Sequence, residues 1–152
     1  MVEGRGYMYQ IVNYKRNDFE VTTDFEKIDI NDVCSLMGQT SWANSRKKDV
    51  IIKSLENSLC FSLFHKNRQI GLVRVVTDCT TFAYLCDVII DEEYRHKGLG
   101  AWFLECVIKH PDLQNLRRWC LATKDAHEFY KKFGFEKLSN PDNFMEIFNS
   151  SC

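Results

Sequence analysis

The chain has 152 residues, of which 45% are hydrophobic and 13% aromatic, and its formal net charge is -1. This length suits one domain with a sizeable core over residues 1–152, and the apolar content argues against intrinsic disorder. The near-neutral charge gives no reason to expect nucleic acid as a partner, so any recognition of an anion must be local.

The first part of the chain predicts two short strands and a helix. Strand-like stretches at residues 7–14 and 19–22 are separated by a polar turn at residues 15–18. Asp29 is a candidate N-cap for an amphipathic helix whose apolar residues recur at helical spacing, and Gly38 is the expected stop. The start of the chain is therefore expected to pair two strands before the first helix.

A polar linker at residues 39–44 carries Trp42, and a second helix is expected over residues 45–57. Trp42 is interpreted either as a lid over the core or as a wall of a substrate site. The basic run that begins at Arg46 falls in the first turn of this helix, where it opposes the helix dipole. We interpret the run as a solvated face in preference to a patch for an acidic substrate.

The middle of the chain predicts an antiparallel meander followed by a helix. Residues 59–64, 70–77 and 82–90 are strand candidates with joins short enough for hairpins. A helix is expected over residues 98–109, and Pro111 prevents its continuation.

The remaining elements continue the sheet. Residues 116–122 form a strand that follows a helix, which favours a parallel crossover. A last helix is expected over residues 123–133, closed by Gly134, and short strands are expected at residues 135–138 and 144–147.

Seven scattered cysteines include no Cys-x-x-Cys pair, which indicates reduced thiols in a reducing compartment. The first residues lack an apolar signal core, and no apolar stretch approaches the length needed to span a bilayer. We therefore expect a cytoplasmic protein with no membrane partner.

Residues 91–100, here called the glycine loop, join the strand at residues 82–90 to the helix that follows. Helix N-termini expose unpaired N–H groups, and glycines let the backbone approach an anion closely. Gly98 and Gly100 fit that need and predict a phosphate site. The alternative is a loop whose glycines only ease a tight turn.

Two motifs in this region resemble one known family. The pattern Arg95-x-x-Gly98-x-Gly100 resembles the pyrophosphate-binding loop of the GNAT superfamily of acetyl-CoA-dependent N-acetyltransferases, and residues 122–135, with Tyr130-x-x-x-Gly134-Phe135, resemble its C-terminal signature. The resemblance implies an α/β (α+β) fold. Its mixed, mostly antiparallel central sheet would have about six to seven strands flanked by about four helices.

The resemblance also implies how acetyl-CoA would bind, without a metal. The strand at residues 82–90 would splay from its parallel neighbour and pair with pantetheine near Val88, Ile89 and Ile90. Thr123 would also contact the pantetheine arm, at a position where many members of the family have asparagine. Tyr130 would lie near the sulfur and protonate the departing thiolate. The cofactor-binding set in the loop would be Arg95, His96, Lys97, Gly98, Leu99 and Gly100.

Alternation along residues 82–90 predicts a candidate base. Even-numbered residues, including Tyr84, would share one face, while Ala83, Leu85, Asp87 and Ile89 would share the other. Burial in an apolar row makes a carboxylate a better base, so Asp87 is the first candidate to accept a proton from the amine, directly or through water. The alternatives are an aspartate satisfied by backbone or hydroxyl donors, and Tyr84 as the base.

The expected reaction is direct attack of a primary amine on the thioester in a ternary complex. The acceptor, a small-molecule amine or a protein amine, is left open, with Trp42 and Tyr84 as candidate contacts. A non-catalytic acyl-CoA-binding regulatory module is the alternative function. Oligomeric state is also open, a homodimer included.

Overall fold

The computed structural model describes residues 9–152, so Tyr7 and Met8, at the start of the first expected strand, lie outside the described residues. The chain forms two compact units, Met1–Leu121 and Ala122–Cys152. All the strands assigned among the described residues lie in the first unit.

The first unit is built on a six-stranded sheet whose strands follow one another in chain order. Neighbours are antiparallel except for the last pair, which is parallel and confirms the expected crossover. The strands are β1 (Asn13–Arg16), β2 (Phe19–Thr22), β3 (Leu59–His65), β4 (Arg68–Thr77), β5 (Phe82–Ile90) and β6 (Arg118–Leu121).

The described residues form four α-helices, which are α1 (Ile30–Gly38), α2 (Lys48–Glu56) and α3 (Leu99–Ile108) in the first unit and α4 (His127–Lys131) in the second. The Asp29 carboxylate accepts from the first N–H groups of α1, as an N-cap should. Among residues 9–152, none of the helices is long and apolar enough to cross a membrane. The expected mixed, mostly antiparallel fold is confirmed.

Several boundaries differ from the expected ones. β1 begins at Asn13 and includes two residues assigned to the turn, so only Asn17 and Asp18 form the reversal. Helix α2 begins at Lys48, because the preceding residues form a turn in which the N–H of Ala43 donates to Thr40 Oγ1 and that of Arg46 to the carbonyl of Ala43. The prediction that Ser45 starts this helix is wrong.

The second unit differs more. Helix α4 starts at His127, because Thr123 Oγ1 accepts from the N–H of Ala126 and holds the preceding residues in a turn. Residues 135–138 and 144–147 form no strand, so the prediction of two further strands is wrong. An apolar alternation makes a strand only where a sheet edge pairs with it, and Met145 and Ile147 are fully exposed.

The two faces of the sheet are packed by different helices. Leu72 and Ile89 belong to a buried cluster with residues of α1 and α2. On the opposite face, α3 packs so close that a Cβ on Gly71 would lie 3.1 Å from Phe103 Cε1. Glycine is therefore the residue that fits beneath α3 at this position.

A β-bulge interrupts the pairing of β4 with β5. Arg74 lies opposite Cys86, but Leu72 lies opposite Ile89, so two residues of β5, Asp87 and Val88, face a single residue of β4. Asp87 has a positive φ of 50°. Because opposite residues point to the same side of a sheet, the bulge reverses the alternation after Cys86. The predicted face shared by Ala83, Leu85, Asp87 and Ile89 is wrong: Ile89 points with Leu72 toward α1 and α2.

Candidate active site

Strand β5 has a free edge over its second half. Its pairing with β6 runs from Phe82 to Leu85, while β5 itself continues to Ile90. Within the described part of the chain, residues 86–90 have no strand beside them on this side. The carbonyl of Ile90 accepts from Arg95 Nε at 2.9 Å. The predicted pantetheine contacts Val88, Ile89 and Ile90 thus lie on the part of β5 that extends beyond its pairing with β6.

The glycine loop is fastened at its start by a buried aspartate. Asp91 accepts from the N–H of Glu93 through one carboxylate oxygen and from Arg68 Nη2, at 3.0 Å, through the other. Gln39, just after α1, accepts from the N–H of Glu92 at 3.0 Å. The loop therefore starts from a position fixed by β4 and α1.

The loop ends at a glycine-capped helix start. His96 and Gly98 both have positive φ, 62° and 76°, and Gly98 caps α3 without any side-chain hydrogen bond. The N–H groups of Leu99, Gly100 and Ala101 have no acceptor inside the helix, and they lie at its positive end. Nothing lies within 4 Å of where a Cβ on Gly98 would be, so this end is open to a ligand.

The side chains of the loop are held by aromatic contacts. Lys97 Nζ lies 5.3 Å from the centre of the Tyr94 ring, and the Tyr94 hydroxyl lies 2.8 Å from His65 Nδ1. His65 in turn stacks on Phe19 of β2. These contacts connect the loop to strands β3 and β2.

Asp87 lies between two arginines, and we call Arg46, Arg74 and Asp87 the arginine cluster. Arg74 Nε donates to Asp87 Oδ2 at 2.6 Å, and Arg46 Nη1 donates to Asp87 Oδ1 at 3.2 Å and Oδ2 at 3.4 Å. The Asp87 side chain is only 3% exposed. Burial alone lowers the pKa of Arg74, but the charge and hydrogen bond of Asp87 outweigh it and raise that pKa.

The arginine cluster corrects two expectations. Asp87 is neither an unpaired acid in an apolar row nor satisfied by backbone or hydroxyl donors, because the bulge turns its side chain toward the face that carries Arg74. Arg46 is not part of a solvated face, since it pairs with a buried carboxylate. Arg74 was missed, although a cation inside the apolar run of residues 70–77 matches the acid inside residues 82–90.

Tyr84 and Cys86 lie on the same face as Arg74. Tyr84 is half-exposed, and burial of its hydroxyl raises its pKa. Burial raises the pKa of the Cys86 thiol to about 11, with the charge of Arg74 opposing in part. Both groups therefore carry their protons at neutral pH.

Trp42 is 59% exposed, whereas the adjacent Ala43 is buried. The indole therefore does not act as a lid over the core. Arg46 follows in the same turn, so the loop between α1 and α2 brings an exposed aromatic ring and a charged residue of the arginine cluster into one segment.

In the second unit, α4 carries Tyr130. Its ring contacts Phe129 and Phe135, with centroids 5.2 and 5.9 Å away. Burial raises the pKa of its hydroxyl, so the phenol is protonated at neutral pH. Gly134, with a φ of 91°, ends the motif and lets the N–H of Phe135 donate to the carbonyl of Tyr130.

Known proteins are similar to this chain in fold and sequence. Residues 56–137 match the family model described as an acetyltransferase (GNAT) domain. A Gibberella zeae protein named "Putative acetyltransferase FG08082" is 32% identical over 159 residues, covering 89% of each chain. The crystal structure of a "putative acetyltransferase belonging to the gnat family" from Xanthomonas campestris pv. campestris has a TM-score of 0.83 and 38% identity, covering 86% of this chain and 93% of that one.

A more distant neighbour carries a ligand. The crystal structure of a GNAT family acetyltransferase from Elizabethkingia anophelis with acetyl-CoA bound has a TM-score of 0.62 and 16% identity, covering 89% of this chain and 91% of that one. At this identity the likeness is one of fold. Together with the family model and the two closer relatives, the glycine loop and the free edge of β5 place this chain in the GNAT family of acetyltransferases.

Proposed function

We propose that the protein transfers an acetyl group from acetyl-CoA to a primary amine by direct attack within a ternary complex. The observation that carries this proposal is the open, glycine-capped start of α3 beside the free edge of β5, both within the first unit. The Elizabethkingia anophelis relative binds acetyl-CoA on the same fold, which supports acetyl-CoA as the co-substrate here.

The donor would be held mainly by backbone groups. The N–H groups of Leu99 and Gly100 at the positive end of α3 suit the pyrophosphate, and His96 and Lys97 flank them. The pantetheine arm would run along Val88 and its two successors, as an added strand does. Because the Ile90 carbonyl already accepts from Arg95, we assign Arg95 to fixing the loop against β5 as well as to the phosphate site. Thr123 is a further proposed contact.

The chemistry needs a neutral amine. An alkyl amine with a pKa of about 10.4 is mostly ammonium at pH 7, and its neutral form costs on the order of 4 to 5 kcal/mol. The nitrogen then attacks the thioester carbonyl carbon, the C–N bond forms, and the C–S bond breaks with its electron pair on sulfur. Tyr130 would give its phenolic proton to this thiolate and recover it from solvent; its raised pKa means that the proton is present at neutral pH.

The amine proton has to leave as well. A carboxylate has about four lone-pair positions, and the two arginines already use three of those of Asp87. The remaining position suits a water molecule better than a bulky substrate, so we assign Asp87 to holding a water molecule that takes the amine proton and passes it to solvent. Tyr84, protonated at neutral pH, would line the site.

No covalent enzyme intermediate is required. Cys86 is the thiol nearest to the arginine cluster along the chain, and its raised pKa of about 11 leaves it without a thiolate at neutral pH. The seven cysteines are free thiols, which supports a reducing compartment such as the cytoplasm.

The test measures thiol release from acetyl-CoA across a library of amines, with mass spectrometry to identify the acetylated product. Acetyl transfer to at least one amine, together with thermal stabilisation by acetyl-CoA, is the expected result. Tight binding of acetyl-CoA without turnover on any amine at high enzyme concentration would instead establish a non-catalytic binding module. The absence of any stabilisation by acetyl-CoA would refute both.

A further inference from the structure

The arginine cluster has more hydrogen-bond donors than it uses. Each guanidinium carries five N–H donors. Arg74 spends two nitrogens, on Asp87 and on Ser58 Oγ at 3.1 Å, and Arg46 spends Nη1 on Asp87. Within the described residues, Asp87 is the one carboxylate within 4 Å of either guanidinium. Two positive charges therefore face a single negative one.

The unused donors reach solvent. In the described part of the chain, every buried side-chain nitrogen or oxygen has a hydrogen-bond partner. Nitrogens of Arg46 and Arg74 that make no hydrogen bond are consequently not buried, in agreement with side chains that are 21% and 15% exposed. The cluster thus presents guanidinium N–H groups that are fixed by Asp87 and open on one side.

The location of these donors matters. Asp87 and Val88 form the bulge of β5, inside the segment whose edge is free and along which the pantetheine arm is proposed to run. Arg46 belongs to the turn that carries the exposed ring of Trp42, and Tyr84 lies on the same face of the sheet as Arg74. A molecule that approaches the free edge from the side of α1 and α2 meets these groups.

Such a surface suits an anion and repels a cation. Recognition of an ammonium group requires acceptors, and Asp87 has a single position left. Among the adjacent exposed residues, Lys47 and Lys48 are cationic and Asp49 is anionic, so this segment keeps a net positive charge. Guanidinium groups hydrogen-bond carboxylates and phosphates through charge-assisted pairs, which are stronger than neutral ones.

We propose that the amine acceptor carries an oxyanion group, a carboxylate or a phosphate, and that Arg46 and Arg74 bind it while the amine reaches the thioester. This inference rests on the proposed acetyltransferase function and narrows its acceptor. It disfavours polyamines and lysine-rich peptides, whose extra positive charges would face the arginines.

The experiment compares acceptors in matched pairs that differ only in the anion. Suitable probes are β-alanine with β-alaninamide, and phosphoethanolamine with ethanolamine, with spermidine as the cationic reference. Affinity is measured by titration calorimetry on the protein saturated with CoA, and transfer is measured from acetyl-CoA. We expect at least one anionic member to bind about tenfold or more tightly than its neutral partner, as charge-assisted hydrogen bonds require.

Substitution of Arg46 assigns the effect to the cluster. Arg46→Gln keeps the length of the side chain and removes its charge, whereas Arg46→Lys keeps the charge as the matched control. We expect Arg46→Gln to abolish most of the anionic preference, Arg46→Lys to retain part of it, and binding of the neutral partner to stay the same. Thermal unfolding of the CoA complexes establishes whether both variants are folded. If one is not, the binding of the matched charged and neutral probes to the wild-type protein tests the proposal.

Equal binding of the charged and neutral members of both pairs, or tighter binding of spermidine, would overturn the proposal. A preference for the anion that survives Arg46→Gln undiminished would also overturn the assignment to this cluster. These outcomes are separate from failure of the proposed function, because affinity for the CoA complex is measured without turnover. Whether the carboxylate or the phosphate pair shows the larger preference identifies the source of the oxyanion.

Discussion

Two regions of the first unit that present positive charge are built in opposite ways. At the start of α3 the donors are backbone N–H groups of consecutive residues, and the decisive side-chain feature is that Gly98 has none. In the arginine cluster the donors are side chains, and Arg46 and Arg74 come from positions 41 and 13 residues away from Asp87. One site is local in sequence and the other is assembled by the fold.

The difference distinguishes a feature that suits a co-substrate shared by a family from a feature that suits a particular acceptor. Backbone donors recognise a phosphate whatever side chains surround them, so such a site suits a co-substrate common to a family. Paired guanidinium groups have a fixed direction and charge, so they suit discrimination among acceptors. The comparison predicts that substitutions in the cluster cost stability and change acceptor choice, whereas substitutions at the start of α3 cost donor affinity.

The largest expected effect is on stability, from Asp87→Ala. Removing the carboxylate leaves two partly buried guanidinium groups without a counter-charge, and breaking a buried ion pair typically costs about 3 to 5 kcal/mol. Alanine also loses the ease with which aspartate adopts the positive φ of the bulge. Urea unfolding should show this loss in the free energy of unfolding.

Asp87→Asn is the matched control, because asparagine tolerates the same backbone conformation and keeps an acceptor oxygen. We expect it to lose less stability than Asp87→Ala. A loss in the free energy of unfolding below about 1 kcal/mol for Asp87→Ala is in the range of an exposed ion pair. Such a small loss would show that the arginine cluster is not a buried network and would contradict its contrast with the start of α3.

The second prediction concerns turnover. Tyr130→Phe removes the phenolic proton and leaves the ring contacts with Phe129 and Phe135 in place. Loss of a general acid typically costs about a hundredfold or more, or about 2.7 kcal/mol, so kcat should fall while the Kd for acetyl-CoA changes little. Steady-state rates and a binding titration provide the two numbers. Equal rates in variant and parent would show that Tyr130 is not the general acid, and the proposed acetyl-CoA site at the start of α3 would remain the main support for the proposed function.

The sequence predicts what is local and misses what the bulge creates. The N-cap at Asp29, the bounds of β5 and the stop before Pro111 follow from short-range patterns, and each is confirmed. The partners of Asp87 do not follow, because simple alternation places its side chain on the wrong face. A single extra residue in one strand reverses every later position, and the apolar pattern carries no sign of it.

The chain after β6 shows a second kind of limit. Residues 144–147 include three apolar residues, yet none of the four is assigned to a strand, and Met145 and Ile147 are exposed. Strand formation depends on a free edge at the right place, which is a property of the assembled sheet. Helix α4 is shorter than the helix expected over residues 123–133. The hydrogen bond that Thr123 accepts competes with the first turn of that helix.

The third prediction tests the local site. Gly98→Val places a β-branched residue at a φ of 76°, where side chains other than glycine are strained by about 1 to 2 kcal/mol. The loop should shift to relieve the strain and move the N–H groups that follow. We expect the affinity for acetyl-CoA to fall by about tenfold or more, roughly 1.4 kcal/mol or more, with the fold retained.

Gly98→Asn is the control for this effect, since asparagine enters the left-handed region more readily and the space around the Cβ is open. It should bind acetyl-CoA more tightly than Gly98→Val does. Unchanged affinity in Gly98→Val, measured by calorimetry, would refute the phosphate site and with it the local half of the comparison.

The smallest expected effect is at the C-terminal end of α3. There the side chain of His110 contacts a residue that lies 100 positions away in the chain. His110 is fully buried; its Nε2 donates to the carbonyl of Gln10 at 2.9 Å, and its Nδ1 accepts from the N–H of Asp112 at 3.1 Å. Protonation of Nδ1 would remove that acceptor. Burial lowers the pKa of His110, although its hydrogen bond to Gln10 opposes the shift.

Because the pKa of His110 is lower in the folded chain than its ordinary value of about 6.5, the unfolded chain binds more protons near that pH. The stability that neutral His110 provides is therefore complete above pH 6.5 and is lost as the pH falls through the folded pKa. His110→Gln should flatten the fall in the free energy of unfolding between pH 7.5 and 5.5 by up to about 1 kcal/mol. His65, His96 and His127 are present in both proteins, so the difference between the two urea-unfolding profiles isolates His110. Parallel profiles would show that the contribution of this buried contact to the free energy of unfolding does not depend on pH. The long-range polar contacts of the first unit would then differ in how they contribute to stability.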